Sequence, residues 1–365
     1  MRLNEKSVLE ALARVQDPDL KKDLVSLGMI KDIVIKDKAL SFRVVLTTPA
    51  CPLKEKIRKD CLDAIESHLG ADLEVSITMD AQVTSVRTGP ILPQVKNIIA
   101  VASGKGGVGK STVTANLALA LSDQGAKVGI LDADIFGPSI PILFDCQTAR
   151  PGVIEREGKS ILIPVERYGI KLLSIGFIAP PDAAVVWRGP MASSALRQFI
   201  GDADWGELDY LLIDLPPGTS DVHLTLVQTV PVTGAVVVTT PQKVALADAQ
   251  KGIGMFQQPK IKVPILGVVE NMAYFTPEEL PDSKYYLFGK DGGKVFAKRN
   301  EVPFLGEIPL VQALRESGDA GKPLIFDNRK SPVVAAFAEV AARVAQHIAV
   351  RNAELPATEV VEIVR

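Results

Sequence analysis

Two rhythms of apolar residues divide the chain. Up to about Val86 the periods are short and mixed. Val8, Leu9, Leu12 and Val15 recur at helical spacing until Asp17-Pro18-Asp19 breaks the run. Ile33 to Ile35 and Leu40 to Leu46 predict short strands, with Lys36-Asp37-Lys38 as the turn. Pro52 to His68 predicts a helix and Leu73 to Ile77 a last strand, so residues 1–88 read as a small α+β domain. Residues 89–96, with Pro90 and Pro93 beside Gly89, predict a linker. From Asn97 the pattern changes. The apolar runs Ile98–Ala102, Val128–Leu131, Tyr210–Ile213, Ala235–Val238, Ile265–Val269 and Phe304–Ile308 alternate with helix-length segments. Such alternation predicts βαβ units and a mostly parallel, doubly wound α/β sheet over residues 97–352. Near the end, Val334, Phe337, Val340, Val344 and Ile348 mark one face of a helix from Pro332 to about Val350, suited to core or dimer packing, and residues 353–365 read as a tail.

Composition narrows the class. A chain of 365 residues, 47% hydrophobic and with a net charge of −2, has material for two packed domains and excludes disorder. The charge balance also excludes a global polybasic surface, so nucleic acid is not an expected partner. No run reaches the roughly 18 uninterrupted apolar residues of a membrane span, and Met1 to Lys6 turns charged at once. Three cysteines, an odd and sparse set, point to a reducing, cytoplasmic setting, and three scattered histidines give no His-rich metal site.

The strongest chemical signal is Gly104-Lys105-Gly106-Gly107-Val108-Gly109-Lys110-Ser111-Thr112, between an apolar run and a helical pattern. Glycines let backbone N–H groups curl around phosphate oxygens, and the following helix N-terminus adds its dipole. Lys110 would bring a cation to the β- and γ-phosphates of ATP, and Ser111 a hydroxyl to Mg²⁺. The extra lysine, Lys105, resembles the deviant Walker A signature of the MinD/ParA/nitrogenase-iron-protein class. That resemblance implies a nucleotide-sandwich homodimer in which Lys105 reaches the partner's phosphates, so that an isolated monomer hydrolyses slowly; a solvated loop charge is the alternative.

Two acidic strand ends complete the pattern. Val128-Gly129-Ile130-Leu131-Asp132-Ala133-Asp134 ends in two carboxylates, and Tyr210-Leu211-Leu212-Ile213-Asp214 has the Walker B form. The resemblance makes Asp134 the switch I aspartate that positions the attacking water, with Asp132 organising it. Asp214 becomes the holder of the Mg²⁺ hydration shell, with Pro216-Pro217-Gly218-Thr219 as switch II. Asn271 resembles the asparagine that hydrogen-bonds adenine; a turn-forming role is its alternative.

Over nearly the whole chain, the small first domain, the deviant loop, Asp132 to Ser139, Trp187-Arg188-Gly189-Pro190-Met191 and Asp214 to Thr219 resemble the Mrp/ApbC family of ATP-binding iron–sulfur cluster carriers. Asp17-Pro18-Asp19 and Thr47 to Pro52 resemble the SufT-like assembly domain fused to many of them. The family's Cys-x-x-C after the Asn-Met is missing here, where Asn271 to Pro281 holds no cysteine, as in a cysteine-poor, plastid-type branch. A [4Fe–4S] cluster generally wants four thiolates. Cys51 is the best candidate ligand, since Pro52 at the first helical position would place it at an N-cap where its pKa falls. Cys61 shares the helical phase of Leu53 and Ile57 and reads as core, and Cys146 sits in a loop. Trp187 and Arg188 carry no derivable chemistry, and burial is the expectation for the Trp. The resemblance implies a homodimeric ATPase that carries clusters to apoprotein acceptors alongside assembly factors. A MinD/ParA-like positioning ATPase and an ATP-dependent adaptor that holds no cluster remain as alternatives.

Overall fold

A computed structural model describes residues 3–86, 91–178, 189–277, 279–280 and 282–361. Trp187, Arg188, residues 87 and 88, and residues 89 and 90 of the expected linker lie outside them. Residues up to Thr84 together with Ala345–Leu355 form one compact unit, and Ser85–Val344 with the segment from Pro356 forms a second.

The first unit holds α1 (Glu5–Leu12), β1 (Ile30–Lys36), β2 (Ala39–Leu46), α2 (Lys54–Leu69) and β3 (Glu74–Ala81). Asn4 caps α1 by accepting from the Ser7 N–H while the Ser7 hydroxyl reaches back to Asn4, a reciprocal capping box. Strands run in the order β1-β2-β3, the first pair antiparallel and the second parallel, with α2 as the crossover. Alternation along β2 turns Leu40, Phe42, Val44 and Leu46 inward onto Val8, Leu12, Ile57, Cys61 and Ile65. Helix α2 starts two residues later than expected. Its N-cap is Leu53, so Pro52 is not the first helical residue and Cys51 is not the cap.

The second unit is built on β4 (Val95–Ala102), α3 (Lys110–Asp123), β5 (Val128–Asp132), α4 (Ile140–Leu143), β6 (Gly152–Arg156), β7 (Lys159–Ile163), β8 (Val165–Arg167), β9 (Ile170–Ser174) and α5 (Gly189–Gly201). It continues through β10 (Leu208–Asp214), α6 (Asp221–Thr229), β11 (Gly234–Thr239), α7 (Lys243–Phe256), β12 (Ile265–Phe275), α8 (Gly292–Arg299), β13 (Phe304–Leu310), α9 (Gln312–Asp319), α10 (Leu324–Asp327) and the first part of α11 (Pro332–Glu354), whose residues from Ala345 belong to the first unit. The sheet order is β13-β12-β11-β4-β10-β5-β9-β8, parallel except for the edge strand β8. The six apolar runs form β4, β5, β10, β11, β12 and β13, the six strands expected. Burial, complete in β5 and β11, is that of a sheet covered on both faces.

The hairpin β6–β7 and strand β9 were not foreseen. The β6–β7 hairpin is exposed along β6 and turns at Glu157-Gly158, both with positive φ (54° and 76°). Strand β9 pairs in parallel with β5 although Lys171 interrupts its apolar run. That lysine carries its ammonium to the Trp205 carbonyl at 2.7 Å, which satisfies its charge beside the sheet. Helix α11 is long and apolar enough, by length and composition, to cross a membrane, yet Val333, Phe337, Val340, Val344 and Ile348 are buried in the fold. The buried stripe carries Val333 where the sequence pattern placed Val334.

Candidate functional site

Strand β4 ends at Ala102, and the chain turns through Ser103 to Gly109 before α3 begins at Lys110. The loop needs its glycines individually. Gly107 and Gly109 have φ of 80° and 81°, where a side chain is strained. A methyl group on Gly109 would meet Asn271 Nδ2 at 2.2 Å, and one on Gly104 would lie 2.0 Å from the Asp248 carbonyl carbon of α7. Central strands β4, β10 and β5 direct their C-terminal ends to this loop, where the connections diverge and ligands bind in open α/β sheets.

The foot of the loop is a buried ionic knot. Lys110 Nζ lies 2.8 Å from Asp214 Oδ1 and 3.4 Å from Asp134 Oδ2. Ser111 donates its hydroxyl to Asp214 Oδ2 at 2.5 Å. Thr114, one turn further along α3 and unremarked in the sequence, places its hydroxyl 2.8 Å from Asp214 Oδ1 and 3.0 Å from the Lys110 carbonyl. Asp214 is fully buried and saturated by these donors. Asp134 is not: its Oδ1 is buried without a hydrogen-bond partner among the described residues. Burial raises the Asp134 pKa, with the Lys110 ammonium opposing the rise and the Asp214 charge adding to it. The Ser111 hydroxyl and the strand-end carboxylate of Asp214, beside the N-terminus of α3, are a donor set that suits a hydrated divalent cation.

Asp132 lies beneath. It accepts from the Asp134 N–H at 3.2 Å, the Ile140 N–H at 3.2 Å and the Ser174 hydroxyl at 2.9 Å. Burial, reinforced by Asp214, raises its pKa. The segment after β10 is tied down as well, by Gly218 N–H to the Ser103 carbonyl at 2.8 Å and by Ser220 N–H to His223 Nδ1 at 3.2 Å.

A cleft of about 530 Å³ opens above the loop, lined by Gly104's neighbours Lys105 to Thr112, by Asp134, and on the far wall by Asn271, Met272, Val311 and Leu314. Lys105 is exposed and forms no ion pair among the described residues. Asn271 reaches the site through an irregularity: β12 shifts register against β13 between Asn271 and Phe275, and Met272 adopts a φ of 54°. Its side-chain amide donates to the Val108 carbonyl at 2.8 Å, so it braces the glycine loop itself. The sequence expected it to bond a base.

The cysteines depart further from expectation. Without the N-cap position, Cys51 gains no full helix-terminus effect: burial pushes its thiol up, and the Leu53 N–H opposes this only in part. Cys61 is a core residue with its thiol pushed up to about 12, as its helical phase foretold, and Cys146 is buried and raised to about 11. Among the described residues no three His, Cys, Asp or Glu side chains gather as a metal-ligand group.

Residues 94–345 match the family described as ParA, NUBPL iron-transfer P-loop NTPase, and residues 5–77 match one described as iron–sulfur cluster assembly protein. The iron–sulfur cluster carrier protein of Synechocystis sp. is 48% identical over 345 residues, 94% of this chain and 97% of that one. The carrier protein of Escherichia coli is 42% identical over 344 residues, 93% and 91% of the two chains. The chloroplastic Fe-S cluster assembly factor HCF101 of Arabidopsis thaliana is 42% identical over 353 residues, 95% of this chain and 64% of its own. Among solved structures, the nucleotide-binding protein from Archaeoglobus fulgidus in complex with ADP has a TM-score of 0.55 at 44% identity, over 63% of this chain and 88% of that one. The chain thus belongs to the NUBPL-type iron-transfer P-loop NTPase family.

Proposed function

We propose that the protein is an ATP-hydrolysing carrier of iron–sulfur clusters that works in the cytoplasm as a nucleotide-sandwich homodimer and delivers its cargo to apoprotein acceptors. The observation that supports this most is the buried knot of Lys110, Ser111, Asp214 and Asp134 at the foot of the loop, in a chain whose full-length relatives are named cluster carriers. Residues Gly104 to Thr112 cradle the phosphates through backbone N–H groups and the α3 N-terminus. Lys110 exchanges its carboxylate partners for phosphate oxygens, which frees Asp214 and Ser111 to hold the hydrated Mg²⁺. The cation would neutralise charge on the phosphate oxygens. Asp134 Oδ1 then has a task, orienting the water that attacks the γ-phosphate. Lys105 of one subunit adds positive charge to the other's transition state, which makes turnover slow in an isolated subunit.

Cys51 is the thiol nearest to solvent of the three and the candidate cluster ligand, with the rest of the ligand set supplied by a second copy or by external thiols. The raised thiol of Cys51 and the buried state of Cys61 and Cys146 favour a second reading, an ATP-dependent adaptor that holds no cluster itself. Anaerobic reconstitution with iron and sulfide, followed by transfer to an apo-acceptor with and without ATP, separates the two. A cluster lost in Cys51→Ser supports the carrier. A wild-type protein that takes up neither iron nor sulfide yet stimulates transfer by other factors supports the adaptor.

A further inference from the structure

The loop from Ala133 to Ser139, which carries Asp134, is closed at both ends by one side chain. Asp132 Oδ1 accepts from the Asp134 N–H and Oδ2 from the Ile140 N–H, so the carboxylate spans the loop like a clasp. A carboxylate held only by two backbone N–H groups can still rock about its Cβ–Cγ bond, and that rocking would swing Asp134. One hydroxyl opposes it. Ser174, at the end of β9 and wholly buried, donates to Asp132 Oδ2 at 2.9 Å and accepts from the Gly176 N–H at 3.0 Å. The turn that follows, Ile175–Phe177, supports the same loop from below: a methyl on Gly176 would lie 3.3 Å from both Pro138 and Pro141. The serine is therefore fixed by its own turn and in turn fixes the plane of the clasp. Asp134, whose residue lines the cleft, ends the chain of bonds with Oδ1 buried and without a hydrogen-bond partner among the described residues.

We infer that Ser174 is a positioning residue for nucleotide hydrolysis, acting through Asp132 to hold Asp134 in line for the attacking water. Ser174 does not line the cleft and touches no group that would meet the nucleotide, so its effect falls on geometry. Catalytic orientation is sensitive to such shifts, and a displacement of about 1 Å costs roughly a hundredfold in rate. Binding depends on the loop N–H groups and Lys110, which Ser174 does not contact, so affinity for ATP is spared. The inference rests on the proposed role of Asp134.

The test is the steady-state ATPase of the full chain, with ATP affinity measured by calorimetry on the same samples. Ser174→Ala is expected to lower kcat by roughly tenfold or more while the ATP Kd stays within about twofold. In an Asp132→Asn background the same change is expected to have no further effect, since the hydroxyl no longer has a carboxylate to orient. Wild-type kcat in Ser174→Ala, or an equal loss in both backgrounds, overturns the inference. If the alanine variant does not fold, Ser174→Cys, similar in volume and a weaker donor, must show the same split, and full activity in it counts against the role. Asp134→Asn separates the two failures. Turnover lost there but intact in Ser174→Ala sinks the serine alone, whereas wild-type turnover in Asp134→Asn removes the reading of the site and the inference with it.

Discussion

Lys110 Nζ lies 2.8 Å from Asp214 Oδ1, with the two side chains 6% and 0% exposed. A buried ion pair of this kind adds little net stability, because desolvation offsets the attraction, but removing one partner strands the other. Lys110→Ala would leave Asp132, Asp134 and Asp214 close together and without their cation. It is expected to abolish ATP binding by calorimetry. It should also lower unfolding free energy by roughly 3–5 kcal/mol, read by denaturant titration, unless the carboxylates take up protons.

Lys105 behaves differently because it is exposed and carries no ion pair among the described residues. Its removal strands nothing. Lys105→Ala is expected to keep the thermal midpoint and ATP affinity of the wild type while phosphate release falls by roughly a thousandfold, the scale of a cation delivered in trans. Mixing Lys105→Ala with Lys110→Ala subunits gives the sharper reading. The nucleotide-competent sites of the first then receive an intact lysine from the second, and partial recovery of turnover is expected. No recovery in the mixture would place the lysine's action within its own subunit.

Gly104 is a steric requirement that the phosphate chemistry alone does not explain. A methyl there meets the Asp248 carbonyl carbon at 2.0 Å and the Ala249 nitrogen at 2.3 Å, both backbone atoms of α7. Neither can step aside as a flexible side chain would, so α7 or the loop has to shift. Gly104→Ala is expected to cost about 1–3 kcal/mol or more, as overpacking does, and to weaken ATP binding by distorting the loop. Gly106→Ala, where the nearest atom is Pro217 Cγ at 3.9 Å, is the control and should leave the midpoint unchanged within about 0.5 kcal/mol.

Legibility followed the physics of each element. The central strands were visible because strands covered on both faces must be apolar throughout, and the phosphate loop because backbone cradling demands glycine at fixed positions. What stayed hidden was whatever long-range pairing decides. Lys171 masks β9 by bringing charge into a strand, and it is tolerated only because the Trp205 carbonyl waits nearby. Ser174 and Thr114 carry no local signal, since each matters through a partner 42 or 100 positions away, and Met272 matters through a bulge. Cys51 misled for a local reason. Pro52 suits a first helical position, but the chain spends Pro52 and Leu53 in a turn before α2 begins.

Two buried titratable groups outside the ionic knot give the molecule opposing responses to pH. Glu270 is 1% exposed on β12, where its carboxylate accepts from the Gly293 N–H at the start of α8. Burial, with Glu307 and Asp291 adding to it against the Gly293 bond, pushes it up to about 7 from 4.5. The folded state thus holds a proton that the unfolded chain has lost, and stability falls as pH rises from about 4.5 through 7. His223, also 1% exposed, is pushed down by burial to about 4 from 6.5. Here the unfolded chain holds the extra proton, so stability is complete above 6.5 and is lost as pH drops toward 4. Glu270→Gln keeps an acceptor for the Gly293 N–H and removes the titration. Its thermal midpoint is expected to climb relative to wild type as pH rises from 5 to 8, by the equivalent of about 2 kcal/mol. His223→Asn, whose Oδ1 can accept the Ser220 N–H, is expected to show the reverse, an advantage over wild type at pH 5 that fades by pH 7. Melting curves of the three proteins at half-unit pH steps check both signs at once, and parallel curves would mean that neither group changes its proton occupancy on unfolding.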